Sequence, residues 1–192
     1  QPTRFEPLVV RHEIITLPSA SVLALQRREL VKRTGTQKAL IVFADPVFSN
    51  TDPRVQTSTA HSRSSKRISD NNINTDIARS ARDLGIMDFQ RLPFSRREAQ
   101  KITEQIPKER YTTILDFAAN HRTATSPDLS AYQKIHFATH GLLNNQHPDL
   151  SGVVLSLVDD QGQMQDGFLR LNEIYNLKLN AELVTLSACQ TA

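Results

Sequence analysis

The 192-residue sequence has one cysteine, no membrane-length apolar run and no glycine-rich nucleotide motif. A single cysteine excludes an internal disulfide framework and any multi-cysteine zinc site. It suits a reducing compartment, and the expected location is the cytoplasm. A membrane-spanning helix needs roughly 20 apolar residues in succession, and none of that length occurs, so no membrane association is expected. The opening QPTRFEP holds no signal-peptide core. Neither GxGxxG nor a Walker pattern is present, so α/β character brings no nucleotide site with it. Neither sign of charge dominates: 23 basic residues against 20 acidic ones leave a net charge of +3. That mild excess, gathered at Arg27–Arg33 and Arg54–Arg67, does not call for a nucleic-acid partner. No organic cofactor is implied.

With 39% hydrophobic and 22% charged residues, the chain has the composition of a globular protein and the length for one domain with a substantial core. Leu8–Val10 and Ile14–Leu17 suit an edge strand or hairpin. Ser19 is a helix N-cap for a run to Val31, stopped by Gly35. ALIVFA at 39–44 is a continuous apolar strand closed by Asp45-Pro46, as in a parallel sheet. Residues 49–75 are rich in Ser, Thr, Asn and Arg and nearly free of apolar anchors, and predict a long mobile surface loop. It is either a solvated insertion, the commoner case, or a processing loop with Arg54, Arg63, Lys66 and Arg67 as basic cleavage positions. A short helix from Asp76 to Leu84 ends at Gly85. Ser95 and Glu98 have the spacing of a capping box, opening a helix that Pro107 ends. Tyr111–Ala119 reads as a strand and Ser126-Pro127-Asp128 as a helix start. Gly152–Val158 is a strand that returns as a hairpin after Gly162, and Leu169–Leu177 a short helix. There is no internal repeat. Alternating strands and helices predict an α/β fold with a largely parallel sheet.

Two strands deliver reactive side chains where they stop: KIHFATHG (134–141) brings His140, and ELVTLSACQTA (182–192) brings Cys189. Groups that act on ligands collect beyond the carboxyl ends of parallel strands, and a thiol facing an imidazole there is a nucleophile with its base. Each also has a plain structural reading, Cys189 as a small packed residue above all. Gly141 allows close backbone approach, and its N–H with that of Cys189 suits an oxyanion hole. Asp45, at the same sheet edge, either recognises a basic substrate side chain or only initiates a turn before Pro46. His136 and His140 are four apart but on a strand, with Phe137 between them rather than a metalloprotease glutamate. No metal site is expected, and His136 reads as a packed histidine with one satisfied nitrogen.

The strings IHFATHGLLN, GVVLSLVDDQG, DGFLRLNEIYNL and ELVTLSACQTA resemble the CHAT domain, a caspase-like cysteine peptidase domain. HEIITLPSASVLALQRR and KALIVFADPVF resemble its beginning, so the likeness spans nearly the whole of 1–192. The resemblance implies a caspase-like three-layer α/β/α sandwich with His140 and Cys189 as catalytic dyad. It implies a cysteine endopeptidase acting on a protein or peptide substrate, with regulation by attached TPR-type helical repeats in the same or a partner chain. Asp45 is then the candidate for recognising Arg or Lys before the cleaved bond, with Thr139 as a second substrate contact. The alternative is a catalytically silent interaction module in a signalling assembly. The sequence ends three residues after Cys189, where the family fold continues. The C-terminal part of the sandwich is therefore expected to be missing and this fragment to be inactive.

Overall fold

Side chains along a strand point alternately to opposite faces, and strand β1 (Lys38–Ala44) of the computed structural model sorts its residues in that way. Ile41 and Phe43 pack into one apolar cluster with Ile135, Phe137, Leu129 and Leu155. Leu40, Val42 and Ala44 pack on the other side with Ala99 and Ala138. Both faces of β1 are covered, which is why the run reads as uninterrupted apolar sequence. The structure describes Pro7, Val10 and residues 19–32, 38–55 and 75–188. The strand or hairpin expected at 8–17, the Gly35 stop, Arg63, Lys66, Arg67 and Cys189 lie outside the described residues.

The chain divides into two units, Gln1–Gly35 and Thr36–Ala192. In the first, helix α1 (Ala20–Lys32) begins at the expected cap, with the Ser19 hydroxyl accepting from the Val22 N–H at 3.1 Å. The second unit carries a parallel sheet in the order β2-β1-β3-β7, formed by β2 (Tyr111–Leu115), β1, β3 (Tyr132–Ala138) and β7 (Leu183–Ser187). Phe43 and Phe137, paired across β1 and β3, stack at 4.8 Å between ring centres. Helix α3 (Pro93–Thr103) covers one face through Ala99 and Ile102. The other face is covered by Ala124 of α4 (His121–Ala124) and Ile174 of α5 (Leu171–Asn176). Helix on both faces of a mostly parallel sheet is the three-layer α/β arrangement expected.

A second, antiparallel sheet, β4-β5-β6, is built from β4 (His140–Leu142), β5 (Gly152–Val154) and β6 (Phe168–Arg170). The segment 134–141, expected to be one strand, changes sheet at Thr139. Beneath this sheet lies a third apolar cluster of Phe48, Leu142, Val154, Leu157 and Phe168, closed by Ile77 of α2 (Thr75–Asp83). Helix α2 ends in a Schellman turn: the Gly85 N–H reaches the Arg82 carbonyl, and the Ile86 N–H the Ala81 carbonyl at 2.7 Å. Gly85 sits at φ 70°, where a side chain would be strained.

Three local expectations are corrected. Ser95 and Glu98 form no capping box, because Leu92, not Ser95, is the N-cap and α3 begins at Pro93. Ser95 is then inside the helix, where its hydroxyl bonds Leu92 and Asp45, and Glu98 bonds His136 instead. Strand β2 stops at Leu115 rather than Ala119, since Asp116 takes a positive φ that breaks the ladder. Residues 49–55 are held by Arg54, whose side chain is 16% exposed and paired with Asp45, Asp52 and Asp116. Its guanidinium is thus part of the fold and not a presented cleavage position.

Candidate functional site

The register of the parallel sheet sets four residues side by side at its carboxyl edge. Ala44 pairs with Leu115 and with Ala138, and Ala138 pairs with Ser187. The next residues along the four strands are Asp45, Asp116, Thr139 and Ala188, so the chemistry-bearing positions share one edge, where α/β sheets place ligands.

His140 follows Thr139 and is 7% exposed. Its Nε2 lies 2.7 Å from the main-chain carbonyl of Gln90. A carbonyl oxygen only accepts, so Nε2 carries the proton, and in the neutral ring the lone pair is on Nδ1. Nδ1 is buried with no hydrogen-bond partner among the described residues. The rings of Phe48 and Phe89 lean on the imidazole at 5.0 and 5.5 Å. Packing and one main-chain bond therefore hold the ring with its basic nitrogen unengaged. Two of these contacts, Phe89 and the Gln90 carbonyl, come from residues 86–92, which run from the Schellman turn of α2 to α3, and the third comes from Phe48 after β1.

Beside it lies a cluster of six charges. Asp45 is wholly buried at φ 48°, and Asp116 sits at φ 53°. Arg91 grips both Asp45 oxygens at 3.0 and 2.8 Å, and Arg96 bonds Oδ2 at 2.9 Å. Arg54 bridges Asp45, Asp52 and Asp116, and Arg96 also reaches Asp116. Burial pushes the Asp45 carboxyl up, but hydrogen bonds from Arg91 and Arg96 and the charge of Arg54 outweigh it and hold it below the ordinary carboxylate range. Two serines fix the strained turns. Ser95 Oγ accepts from the Asp45 N–H at 2.8 Å, and Ser156 Oγ donates to the Asp116 carbonyl at 2.7 Å. Such conformations persist where neighbours over-determine them.

Two expected substrate contacts are corrected by this geometry. Asp45 does not offer a carboxylate to a basic substrate side chain, because three guanidiniums of the same chain already occupy it. Thr139 is fully buried, and its hydroxyl donates to the Val154 carbonyl, joining the two sheets. His136 is the packed strand histidine expected, with Nε2 at 2.8 Å from Glu98.

Cys189 lies outside the described residues, but Ala188 before it is described. A Cβ placed on Gly141 would come within 3.1 Å of the Ala188 Cβ. The neighbour of the histidine thus rests against the neighbour of the cysteine. The sequence gives no sign of the roles of Gln90, Phe48, Phe89, Arg91 and Arg96, and it offers Arg54 only as a cleavage position. Gln90 acts through its backbone, which no residue code reveals, and the arginines are dispersed along the chain until the fold gathers them.

A mostly parallel α/β/α sheet with a histidine at the carboxyl edge, followed by a small antiparallel sheet, defines a caspase-like domain. The chain belongs to the CHAT domain family, whose model matches residues 2–192. No curated protein and no solved structure matches it. Among the described residues no helix is long and apolar enough to cross a membrane.

Proposed function

We propose that this chain carries the reacting groups of a cysteine endopeptidase domain, with Cys189 as nucleophile and His140 as its base. The observation that supports this most is the state of His140: Nε2–H is committed to the Gln90 carbonyl, and the buried Nδ1 lone pair has no partner among the described residues. A second support is the contact of Gly141 with Ala188, which brings the two chain segments together. In the reaction, Nδ1 takes the thiol proton and the Cys189 thiolate attacks the scissile carbonyl carbon. The N–H groups of Gly141 and Cys189 receive the oxyanion. Collapse breaks the C–N bond, and the imidazolium returns its Nδ1 proton to the leaving amine. A water, deprotonated at Nδ1, then hydrolyses the thioester to release the acid and restore the thiol. The Gln90 carbonyl stabilises the imidazolium through its bond to Nε2–H. TPR-type repeats in the same or a partner chain, in a reducing compartment such as the cytoplasm, are the proposed regulators.

The test uses the full natural chain containing this sequence, with its Cys189→Ala and His140→Ala forms. Each is incubated with a peptide library and cleavage is read by mass spectrometry. Cleavage by wild type that is lost in both variants is the expected result. Folded protein that cleaves nothing, with or without its natural partners, would favour the silent interaction module.

A further inference from the structure

The carbonyl that holds His140 belongs to a segment with no helix or strand of its own. Residues 86–92 run from α2 to α3 without regular secondary structure. Among the described residues, no main-chain N–H of residues 87–92 donates to a main-chain carbonyl. The Gln90 side chain bonds only its neighbour Asp88. Side chains of other residues therefore decide where the Gln90 carbonyl points. Phe89 packs against Phe48 at 6.1 Å and against His140 at 5.5 Å. Arg91 supplies the polar tie, its Nε and Nη2 donating to the two Asp45 oxygens at 3.0 and 2.8 Å. The Gln90 carbonyl and the Arg91 N–H form one rigid peptide plane, so the tie starts from the residue bonded to that carbonyl. We infer that Arg91 is a positioning residue for His140: by gripping Asp45 it fixes the Gln90–Arg91 peptide, keeping the Gln90 carbonyl on Nε2–H and the Nδ1 lone pair free for the thiol proton. The inference rests on the endopeptidase reading above and adds a residue on which its base depends.

Asp45 is a fixed post even without Arg91. Its N–H is held by Ser95 Oγ, its carbonyl by Arg54 at 2.8 Å and its Oδ2 by Arg96 at 2.9 Å. Arg54 and Arg96 each reach Asp116 as well, whereas Arg91 hydrogen-bonds Asp45 alone among the described residues. Its side chain is also the most exposed of the three, at 39%. Two guanidiniums thus give the buried carboxylate its countercharge and bind the cluster together. What the third adds is a link from Asp45 to its own main chain. The forked geometry suits that task, because two parallel N–H···O bonds fix direction as well as distance. A lone ammonium on a flexible stem fixes neither so well. The histidine is sensitive to this, since a displacement of about 1 Å at a reacting group can cost roughly 100-fold in rate.

The test uses the full natural chain with Arg91→Gln, Arg91→Lys and Arg96→Gln, each checked for folding by circular dichroism. Arg96→Gln takes the same charge from Asp45 but is not part of the Gln90–Arg91 peptide. In the first arm the chains carry Cys189→Ala and isotope-labelled histidine. The His140 Nε2 proton is followed by NMR and assigned by its loss in His140→Ala. With Arg91 intact, that proton should be protected from exchange. Arg91→Gln should abolish its signal or speed its exchange about 10-fold or more. Arg91→Lys should do the same to a lesser degree, and Arg96→Gln should leave the signal in place. In the second arm, with Cys189 intact, Arg91→Gln should lower kcat about 10- to 100-fold with KM within about twofold. A proton signal unmoved in both Arg91 variants would overturn the inference, and the peptidase reading would stand wherever cleavage persists. Equal loss in Arg96→Gln would overturn it as well, since any missing countercharge would then have the same effect. A raised KM at unchanged kcat would make Arg91 a substrate contact and overturn the positioning role. Signal loss confined to the Arg91 variants, with no cleavage by any form, would keep the positioning of His140 and overturn the peptidase reading. If Arg91→Gln fails to fold, Arg91→Lys, which keeps the charge, decides alone.

Discussion

Gly141 and Ala188 approach so closely that a methyl group on the glycine would sit 3.1 Å from the alanine Cβ. Neither partner is a flexible side chain, so the backbone itself would have to yield. Gly141→Ala should therefore spread the ends of β4 and β7 by a few tenths of an ångström. If the dyad reading holds, kcat should fall about 10- to 100-fold, with only a few degrees lost in Tm. Steady-state kinetics and melting on the same preparation separate the two effects.

Asp45 provides a pH-dependent prediction. Its folded-state pKa lies below the ordinary 3.8, so its contribution to stability is present above that value and is lost as pH falls through the folded pKa. Asp45→Asn leaves Arg54, Arg91 and Arg96 without their shared anion and should cost about 3 kcal/mol at neutral pH. The gap between wild type and variant should hold from pH 7 to about pH 4 and close only below it. Urea denaturation across that range checks the sign.

Ser95 holds the strained Asp45 turn from inside α3, with one bond to the Asp45 N–H and one to the Leu92 carbonyl. Ser95→Ala leaves a buried N–H unsatisfied, and should destabilise by about 1–3 kcal/mol. A helix-cap role would have predicted weakening of α3 alone. Hydrogen exchange should instead show faster opening of the turn after β1.

Gly152 tests the small sheet. A methyl group there would overlap the Leu169 carbonyl and lie 2.8 Å from the Phe168 ring. Gly152→Ala forces β5 and β6 apart and should cost about 3 kcal/mol or more, as overpacked cores do. A fall in the urea midpoint with an unchanged slope would confirm that native packing is what was lost.

Much of the fold is legible from local pattern. The apolar run at 39–44, the Ser19 cap and Gly85 each announce themselves through chemistry that acts within one turn or one strand. The change of sheet at Thr139 is not legible, because 134–141 has one unbroken strand composition. Two hydrogen-bond networks divide it. Ala138 still pairs in the parallel ladder, whereas His140 pairs with Val154 in the antiparallel one. Ser95 misleads for a related reason: the spacing to Glu98 satisfies a capping box, yet both side chains have stronger partners elsewhere in the fold.

The sequence by itself determined the class of fold, the strand that leads to His140 and the family likeness, because strand periodicity and short motifs are written in consecutive residues. Only the tertiary structure decided what surrounds the histidine. Gln90 acts through a carbonyl that every residue possesses, and Phe48 and Phe89 meet the ring from distant parts of the chain. Asp45 shows the difference most plainly. As a residue at a sheet edge it reads either as an open anion awaiting a cation or as a turn former before Pro46. In the folded chain Arg54, Arg91 and Arg96 have already met it, since a buried carboxylate is stable only with its countercharges in place.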